Sequence, residues 1–488
     1  MLCVGAAYAQ EADRSITVVL QKEPDSLDPC EITKSDVGYV NRNNIIETVT
    51  AIDPATGEII PKIATEWQAV DDDTWRFTLR QGVTFHDGTE LTAENFIQSL
   101  QRTLNRNLNC SSRVFYFDSV DLEFDAVDDH TVDITSNPPL PLLPTMLIMM
   151  PVNAPSTPDD TFTREPIGTG PYKFVDWQSG RQITLERNED YWGDAPEATG
   201  VTYLFRNESL VRAAMVASGE ADITDVIASQ DADRPDMDIS FRNSETIRLR
   251  FDLEKPPLDD LRVRKAINMA IDREGLIGTI FSPRWEIATN FVIPPTKGYN
   301  EAIESYPYDP DQAAALIEEA AADGVPVDKE ILFVARNTLS GANEGTAAMV
   351  QMLNAVGLNV RLQMLEVQEF FEFYFKPFDP SQPVHFLMES HDNNSGDAGF
   401  TLLGKYHSKG GVSKLNDPTI DALIEKGAAA QNPEREAIFK EVFQRVHDDA
   451  VDAMLFHEVV DSRVGARIAY NPKAATKGML NIAEITFK

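Results

Sequence analysis

Residues 331–365 constrain this chain more than any other stretch. "ILFVAR" (331–336) is a short apolar run, a helical segment follows over about 344–355, Gly357 ends it, and "LNVRLQML" (358–365) is a second apolar run. That succession reads as β-α-β. Such a unit places two parallel strands in one sheet with a right-handed crossover. "VHFLMES" (384–390) is expected to add a strand. Helices surround this material. "RVRKAINMAID" spaces Val263, Ala266, Ile267, Ala270 and Ile271 as one buried face. Asp309-Pro310 opens a helix that ends at Gly324, and Asp417-Pro418 and Asn432-Pro433 open the last two long helices, with an Asx N-cap and proline at the first helical position. The middle and later part of the chain is α/β.

The beginning is different. "SITVVL" (15–20) is a short strand followed by the Pro/Asp turn cluster "EPDSLDP". In "WQAVDDDTWRFTLRQGVTFHDGTEL" (67–91), Trp75, Phe77 and Leu79 alternate with Arg76, Thr78 and Arg80, the mark of a half-buried strand. Thr92 caps a helix, "AENFIQSLQRTL", with Phe96, Leu100 and Leu104 on one face. Alternation assigns the block's aromatics to a core rather than to a ligand. "GTG" at Gly168 reads as a turn. The chain closes on strand-like "ARIAY" and "AEITF", so it is expected to return to its first domain. Crossings between domains are expected at Ile247–Asp252 and Leu455–Val460, where the pattern changes.

The 488 residues are 42% hydrophobic and 25% charged, enough for two or three cores. The net charge of −35 argues against nucleic acid and anionic lipid as partners. Ala7-Tyr8-Ala9 has the small-x-small form that precedes a signal-peptidase cut, so residues 1–9 are read as the remnant of a signal peptide and the mature chain as exported. The longest apolar run, "LPLLPTMLIMMPV" from Leu140, has 13 residues, against the roughly 20 a membrane helix needs. With Cys3 in the remnant, Cys30 and Cys110 remain. They form either a disulfide, which suits an exported protein, or two buried thiols.

Motifs of catalysis are missing. The seven histidines include His385, His391 and His407 in one stretch, without HExxH or CxxC spacing, so no metal site is expected. There is no G-x-S-x-G and no P-loop. One loop has the composition of a binding site: "SHDNNSGDAG" (390–399), after the carboxyl end of an apolar strand, where open α/β sheets bind ligands. Asp397 could accept hydrogen bonds from an ammonium or hydroxyls, and Asn393 and Asn394 offer donors and acceptors. A solvated turn rich in Asx residues has the same composition.

The segment "IPKIATEWQAVDDDTWRFTLRQGVTFHDGTELTAENFIQSLQR" resembles the signature of the family 5 extracellular solute-binding proteins, the peptide/opine/nickel-type subunits of ABC importers. "SLDP" (26–29), "GTGPYKFVDW" (168–177), "LERNEDYWG" (185–193), "ASGEADI" (217–223), "LRVRKAINMAIDREGLI" (261–277), "YDPDQAAALIEEA" (308–320) and "LNDPTIDALIEKG" (415–427) match in order over nearly the whole chain. The resemblance implies an α/β, two-lobed periplasmic binding protein of type II, cluster C-like, that closes over its ligand, with a subdomain inserted in the first lobe. Lobe I would comprise 10–47, 165–248 and 461–488, the insert 48–164 and lobe II 249–460. It implies a monomer in the periplasm that delivers a small peptide to ABC-transporter permease subunits, without a cofactor and without enzymatic activity. An exported hydrolase on a similar framework is the alternative of another class.

By the same resemblance Asp397 is the expected charge anchor, with Asn393, Asn394, Glu389 and His391 beside it. Tyr39 and Asn41 follow the "SLDP" turn, where family members line the cleft. Trp285 is a candidate to stack on the ligand and Arg250 to pair with a carboxylate. Glu389-Ser390 stands where the family's peptide binders commonly carry Gly-Trp. That departure widens the expected ligands to longer peptides, opines, sugar–amino-acid conjugates, oligosaccharides and metal chelates.

Overall fold

The computed structural model describes residues 14–53, 58–118, 120–294, 296–337, 339–393, 396–470 and 479–488. The expected signal-peptide remnant 1–9 and Asn394 lie outside the described residues. The chain divides into two compact units: residues up to Phe241 together with those from Val460 onward, and Arg242–Val459.

In the first unit β1 (Ser15–Leu20) buries Ile16, Val18, Val19 and Leu20, so both of its faces are covered. Next come β2 (Ala64–Ala69), β3 (Thr74–Leu79), β4 (Asp121–Asp128) and β5 (Thr131–Asn137), an antiparallel sheet in the order β2-β3-β5-β4. The Asp71 carboxylate accepts from the Thr74 N–H at 2.8 Å and shapes the turn before β3. Phe77 and Leu79 are buried and Trp75 packs beside them, while Arg76 on the other face forms a bidentate pair with Asp133 at 2.7 Å. α1 (Ala93–Leu104) is capped by Thr92, whose hydroxyl accepts from the Asn95 N–H, and it buries Phe96 and Leu100.

β6 (Tyr172–Gln178), β7 (Gln182–Arg187), β8 (Gly200–Phe205) and β9 (Ile223–Thr224) then join β1 in a five-stranded sheet ordered β6-β7-β8-β1-β9, with β1 parallel to β8 and β9. Cys30 and Cys110, 80 residues apart, are joined by a disulfide. Beside it the buried Asp28 takes Arg102 bidentately at 2.9 and 2.7 Å.

Several motifs without apparent chemistry act here as joints. Glu47 is fully buried and accepts from Thr169 Oγ1 (2.9 Å), Tyr191 OH (2.9 Å), Trp192 Nε1 (2.7 Å) and Lys62 Nζ (2.8 Å). That accounts for "YWG" at 191–193. His86 Nδ1 accepts from the Gly168 N–H, so the ring donates through Nε2 to the Gly170 carbonyl at 2.9 Å and is neutral. "GTG" is more than a turn. A Cβ on Gly168 would lie 2.1 Å from the Ile45 carbonyl oxygen, and one on Gly170 2.5 Å from that of Asn44. The two backbones touch. Gly168→Ala should therefore cost roughly 1–3 kcal/mol, read as a lower urea midpoint. Gly404→Ala, where a Cβ meets nothing within 4 Å, should be neutral or stabilising.

The second unit is built on β10 (Asp238–Phe251), β11 (Glu286–Ile287), β12 (Glu330–Ala335), β13 (Asn359–Met364), β14 (His385–Asp392) and β15 (Asp452–Arg463), in the order β11-β15-β10-β14-β12-β13. The unit boundaries fall at 241/242 and 459/460, within β10 and β15. Residues 247–251 are the last five of β10, and Asp252 follows the strand. Ile247, Leu249 and Phe251 enter the core there, with Arg248 and Arg250 on the opposite face.

β12 is parallel to both β13 and β14. One face of the sheet packs on α2 (Leu261–Ala270), α3 (Pro310–Ala322) and α4 (Ala342–Ala355), the crossover between β12 and β13. On the other face α5 (Val367–Tyr374) covers Leu332, Val334 and Leu387. α6 (Ala398–Lys405), α7 (Pro418–Ala429) and α8 (Glu434–Asp448) share a further core with Phe291. Asp309 and Asp417 cap α3 and α7 as expected. Pro433, not Asn432, precedes α8, and no side chain caps that helix.

Candidate functional site

β14 runs two residues past its apolar segment, to Asp392, because its ladder with β10 continues. Arg248 pairs with Glu389, Ile247 with Ser390, Thr246 with His391 and Glu245 with Asp392. Backbone groups need partners whatever the side chains are. The polar residues expected in a loop thus stand on a strand end, and they meet a buried ionic network. Arg248 is fully buried. Its Nε donates to Glu389 Oε1 at 2.7 Å, its Nη2 lies 2.5 Å from the same oxygen in an ion pair, and its Nη1 donates to Asp452 Oδ2 at 2.8 Å. The Tyr406 hydroxyl donates to the same Asp452 oxygen at 2.6 Å.

Lys405 donates to the Tyr374 hydroxyl and lies 3.7 Å from Glu389. Burial alone would raise the Glu389 carboxyl, but the surrounding Lys405, Arg248 and Arg250 hold it down at about 2. Burial pushes the Lys405 ammonium down to about 8. These charges pair with one another inside the unit, although Glu389 Oε2 and Arg248 Nη2 make no hydrogen bond among the described residues.

Most of the expected contact residues belong to this frame. Asp397 is the N-cap of α6, accepting from the Gly399 N–H at 2.7 Å. Both of its oxygens take Arg435 at 2.8 Å, and Arg435 also donates to the Gly427 and Ala428 carbonyls at the end of α7. The expected charge anchor is therefore a staple between helices. Asn393 is buried and donates to Thr401 Oγ1 at 2.8 Å. The Thr401 hydroxyl is also hydrogen-bonded to His391 Nε2 at 2.8 Å. His391 lies between Phe291 and Phe400, and burial holds it neutral, well below the ordinary histidine range.

The four remaining candidates make contacts inside their own units. Arg250 does not present its fork outward: it donates to the carbonyls of Phe373 (2.7 Å), Tyr374 (3.1 Å) and Val412 (2.6 Å). Trp285 is core, stacked on Phe281 at 4.8 Å and packed against Phe456. Asn41 is fully buried in the first unit and donates to the Leu27 carbonyl at 2.6 Å. Tyr39 packs against the core of that unit, and its carbonyl accepts from Asn44 and Tyr203.

The sequence reading passed over Arg336. It follows β12 directly, at the carboxyl end of a parallel strand. It is half-buried, with its guanidinium carbon 4.5 Å from the Phe370 ring centre and 5.5 Å from that of Phe371. Among the described residues it makes no hydrogen bond and no ion pair within 4 Å. Burial lowers its pKa, and Tyr374 and Glu245 are the nearby groups that oppose this. The charge that closes "ILFVAR" was the available signal: an arginine ending an apolar strand.

Arg336 puts a positive charge at this corner, and no group of three or more His, Cys, Asp or Glu side chains among the described residues could hold a metal ion. A charged corner at the carboxyl ends of parallel strands is the place where an α/β protein holds a small solute. The sequence profile described as bacterial extracellular solute-binding proteins, family 5, matches residues 58–409, and the chain belongs to this family. It is a solute-binding protein of the kind that serves ABC importers and not an enzyme.

A dipeptide-binding protein of Escherichia coli K12 is 27% identical over 447 residues, covering 83% of this chain and 82% of that protein. A periplasmic binding protein of Helicobacter pylori solved with the peptide STSA has the same fold, with a TM-score of 0.78 at 21% identity over 98% of this chain and 99% of that one. A binding protein of A. tumefaciens R10 solved with agropinic acid gives 0.79 at 23% identity over 97% and 99%. No helix among the described residues is long and apolar enough to cross a membrane.

Proposed function

We propose that the protein captures a short peptide in the periplasm and, as a monomer, hands it to the permease subunits of an ABC importer. In this reading the first unit, with its insert at 48–164, is lobe I, and the second, Arg242–Val459, is lobe II. The relatives named for di- and tripeptides support the ligand class. The observation that carries it is Arg336: a half-buried guanidinium at a strand end with no hydrogen bond or ion pair among the described residues. A peptide carboxylate fits the guanidinium fork bidentately.

Acidic partners for a peptide ammonium stand nearby. Asp392, hydrogen-bonded to Ser244, and Glu245 face each other across β14 and β10. Val334 is in register with Leu387. Strand geometry places the Asp392 backbone about 10 Å further along than Arg336 and about 5 Å across, with Asp392 alternating to the Met388 face and Arg336 on the face of Leu332 and Val334. Glu245, whose charge reaches Arg336, is the nearer acidic candidate for the ammonium.

Calorimetric titration with di- and tripeptides tests this. Arg336→Ala should weaken peptide binding about 100-fold, the loss of a charge-assisted pair of about 3 kcal/mol. The melting temperature of the unliganded protein should hardly move, because the side chain has no internal ion pair. Arg336→Lys, which keeps the charge without the fork, should recover part of the affinity. Unchanged binding in Arg336→Ala would move the carboxylate site elsewhere. If the protein binds no peptide and takes an opine or a saccharide instead, the peptide reading is wrong.

A further inference from the structure

The residues around Arg336 say more about the group beside the carboxylate, given the reading of Arg336 as its anchor. α5 carries the run "QEFFEFYF" from Gln368 to Phe375. A helix end leaves its last carbonyls without intrahelical partners, and here Arg250 takes those of Phe373 and Tyr374. The helix is thereby pinned to the centre of the sheet. Phe370 is fully buried against Leu332, Val334 and Leu387. Tyr374 stacks on Phe370 at 5.7 Å with 29° between the rings, and Phe375 meets Phe371 edge-on at 5.1 Å. Phe371 itself is only half-buried.

The result is a rigid aromatic floor on which the Arg336 guanidinium rests. Contact with a ring face attracts the cation but uses none of its N–H donors. The fork stays available for a carboxylate, and the open part of Phe371 lies next to whatever carries that carboxylate.

We propose that this floor makes the site selective for peptides whose C-terminal residue has an aromatic or bulky apolar side chain, which packs on Phe371 while its carboxylate meets Arg336. A small C-terminal residue leaves the ring wet. A lysine or arginine there brings a second cation to Arg336. Aromatic pairs prefer offset or edge-to-face contacts and add to the burial of apolar area.

The test is a titration panel of Ala-Phe, Ala-Leu, Ala-Ala and Ala-Lys against the whole protein and against Phe371→Ala and Phe371→Leu. In the wild type Ala-Phe should bind about tenfold more tightly than Ala-Ala, with Ala-Lys weakest. Phe371→Ala should bring Ala-Phe and Ala-Ala within about threefold of each other by weakening Ala-Phe more than Ala-Ala. Phe371→Leu should keep the preference for Ala-Leu and guards against a folding defect. Equal wild-type affinity for Ala-Phe and Ala-Ala overturns the selectivity but leaves peptide capture standing. An equal loss for every peptide in Phe371→Ala assigns the ring to holding Arg336 and also overturns it. Failure of all four peptides to bind the wild type counts against the peptide reading itself.

Discussion

Replacing Arg248 with methionine should lower the unfolding free energy by about 3–5 kcal/mol, the range for breaking a buried ion pair by removing one partner. That is a large part of the roughly 5–15 kcal/mol that holds a typical protein together. The reason is the company Arg248 keeps. It neutralises two carboxylates, Glu389 and Asp452, all three side chains being buried, with its guanidinium carbon 3.9 Å from the Phe291 ring centre. Methionine fills much of the space, so lost packing is the smaller effect. Lys405 at 3.7 Å and Arg250 at 3.9 Å are all that is left near Glu389.

The pH dependence identifies the cause. In the wild type Glu389 is held down at about 2. A carboxyl lowered on folding contributes stability that is present above its unfolded value and lost as pH falls from about 4.5 towards 2. Without Arg248 the Glu389 carboxyl rises from its wild-type value, while Lys405 and Arg250 continue to oppose the effect of burial. The variant therefore has less of this contribution to lose in acid, and the gap between variant and wild type in urea should narrow as pH falls from about 4.5 towards 2. Arg248→Met with Glu389→Gln should be more stable at pH 7 than Arg248→Met alone. A cost below about 1 kcal/mol for the single variant would show that the network contributes only what an exposed pair does.

A second large effect is expected from acid. Burial pushes His86 and His385 down to about 4 and His457 to about 3. A base lowered on folding contributes stability that is complete above its unfolded value, about 6.5, and is lost as pH falls through the folded one. The unfolded chain binds the protons first. At pH 5 each of the three should cost about 2 kcal/mol, at about 1.4 kcal/mol per pH unit, or about 6 kcal/mol together. The net charge of −35 shrinks over the same range, and reduced self-repulsion offsets part of this.

The difference between proteins isolates the histidines. His457, which meets the Thr246 hydroxyl through Nδ1 at 2.8 Å, can be replaced by phenylalanine. Urea unfolding between pH 7 and 5 should then lose about one proton's worth of slope relative to wild type. An unchanged slope would mean that His457 is protonated in the folded protein.

Local structure was written in the sequence wherever its cause was local. Alternation placed Trp75, Phe77 and Leu79 on β3, and Thr92 set the start of α1. The apolar runs bracketing α4 marked the parallel strands β12 and β13. The ordered motifs were enough to identify the family. In each case the deciding residues lie within a few positions of one another, where propensity, capping and periodicity operate.

The side chains that would touch a solute were less legible. Arg250 and Arg336 each close or punctuate an apolar run, yet one is spent on the carbonyls at the end of α5 and the other keeps an open fork. Asp392 and Asp397 stand five positions apart in one polar stretch. Only the second meets Arg435, on a helix 38 residues further on. The sequence by itself determined the α/β framework, the helix starts and the family, because those follow from short-range pattern. The tertiary structure alone decided which charges were consumed internally, because a buried charge is settled by the partner that packing brings to it from far along the chain.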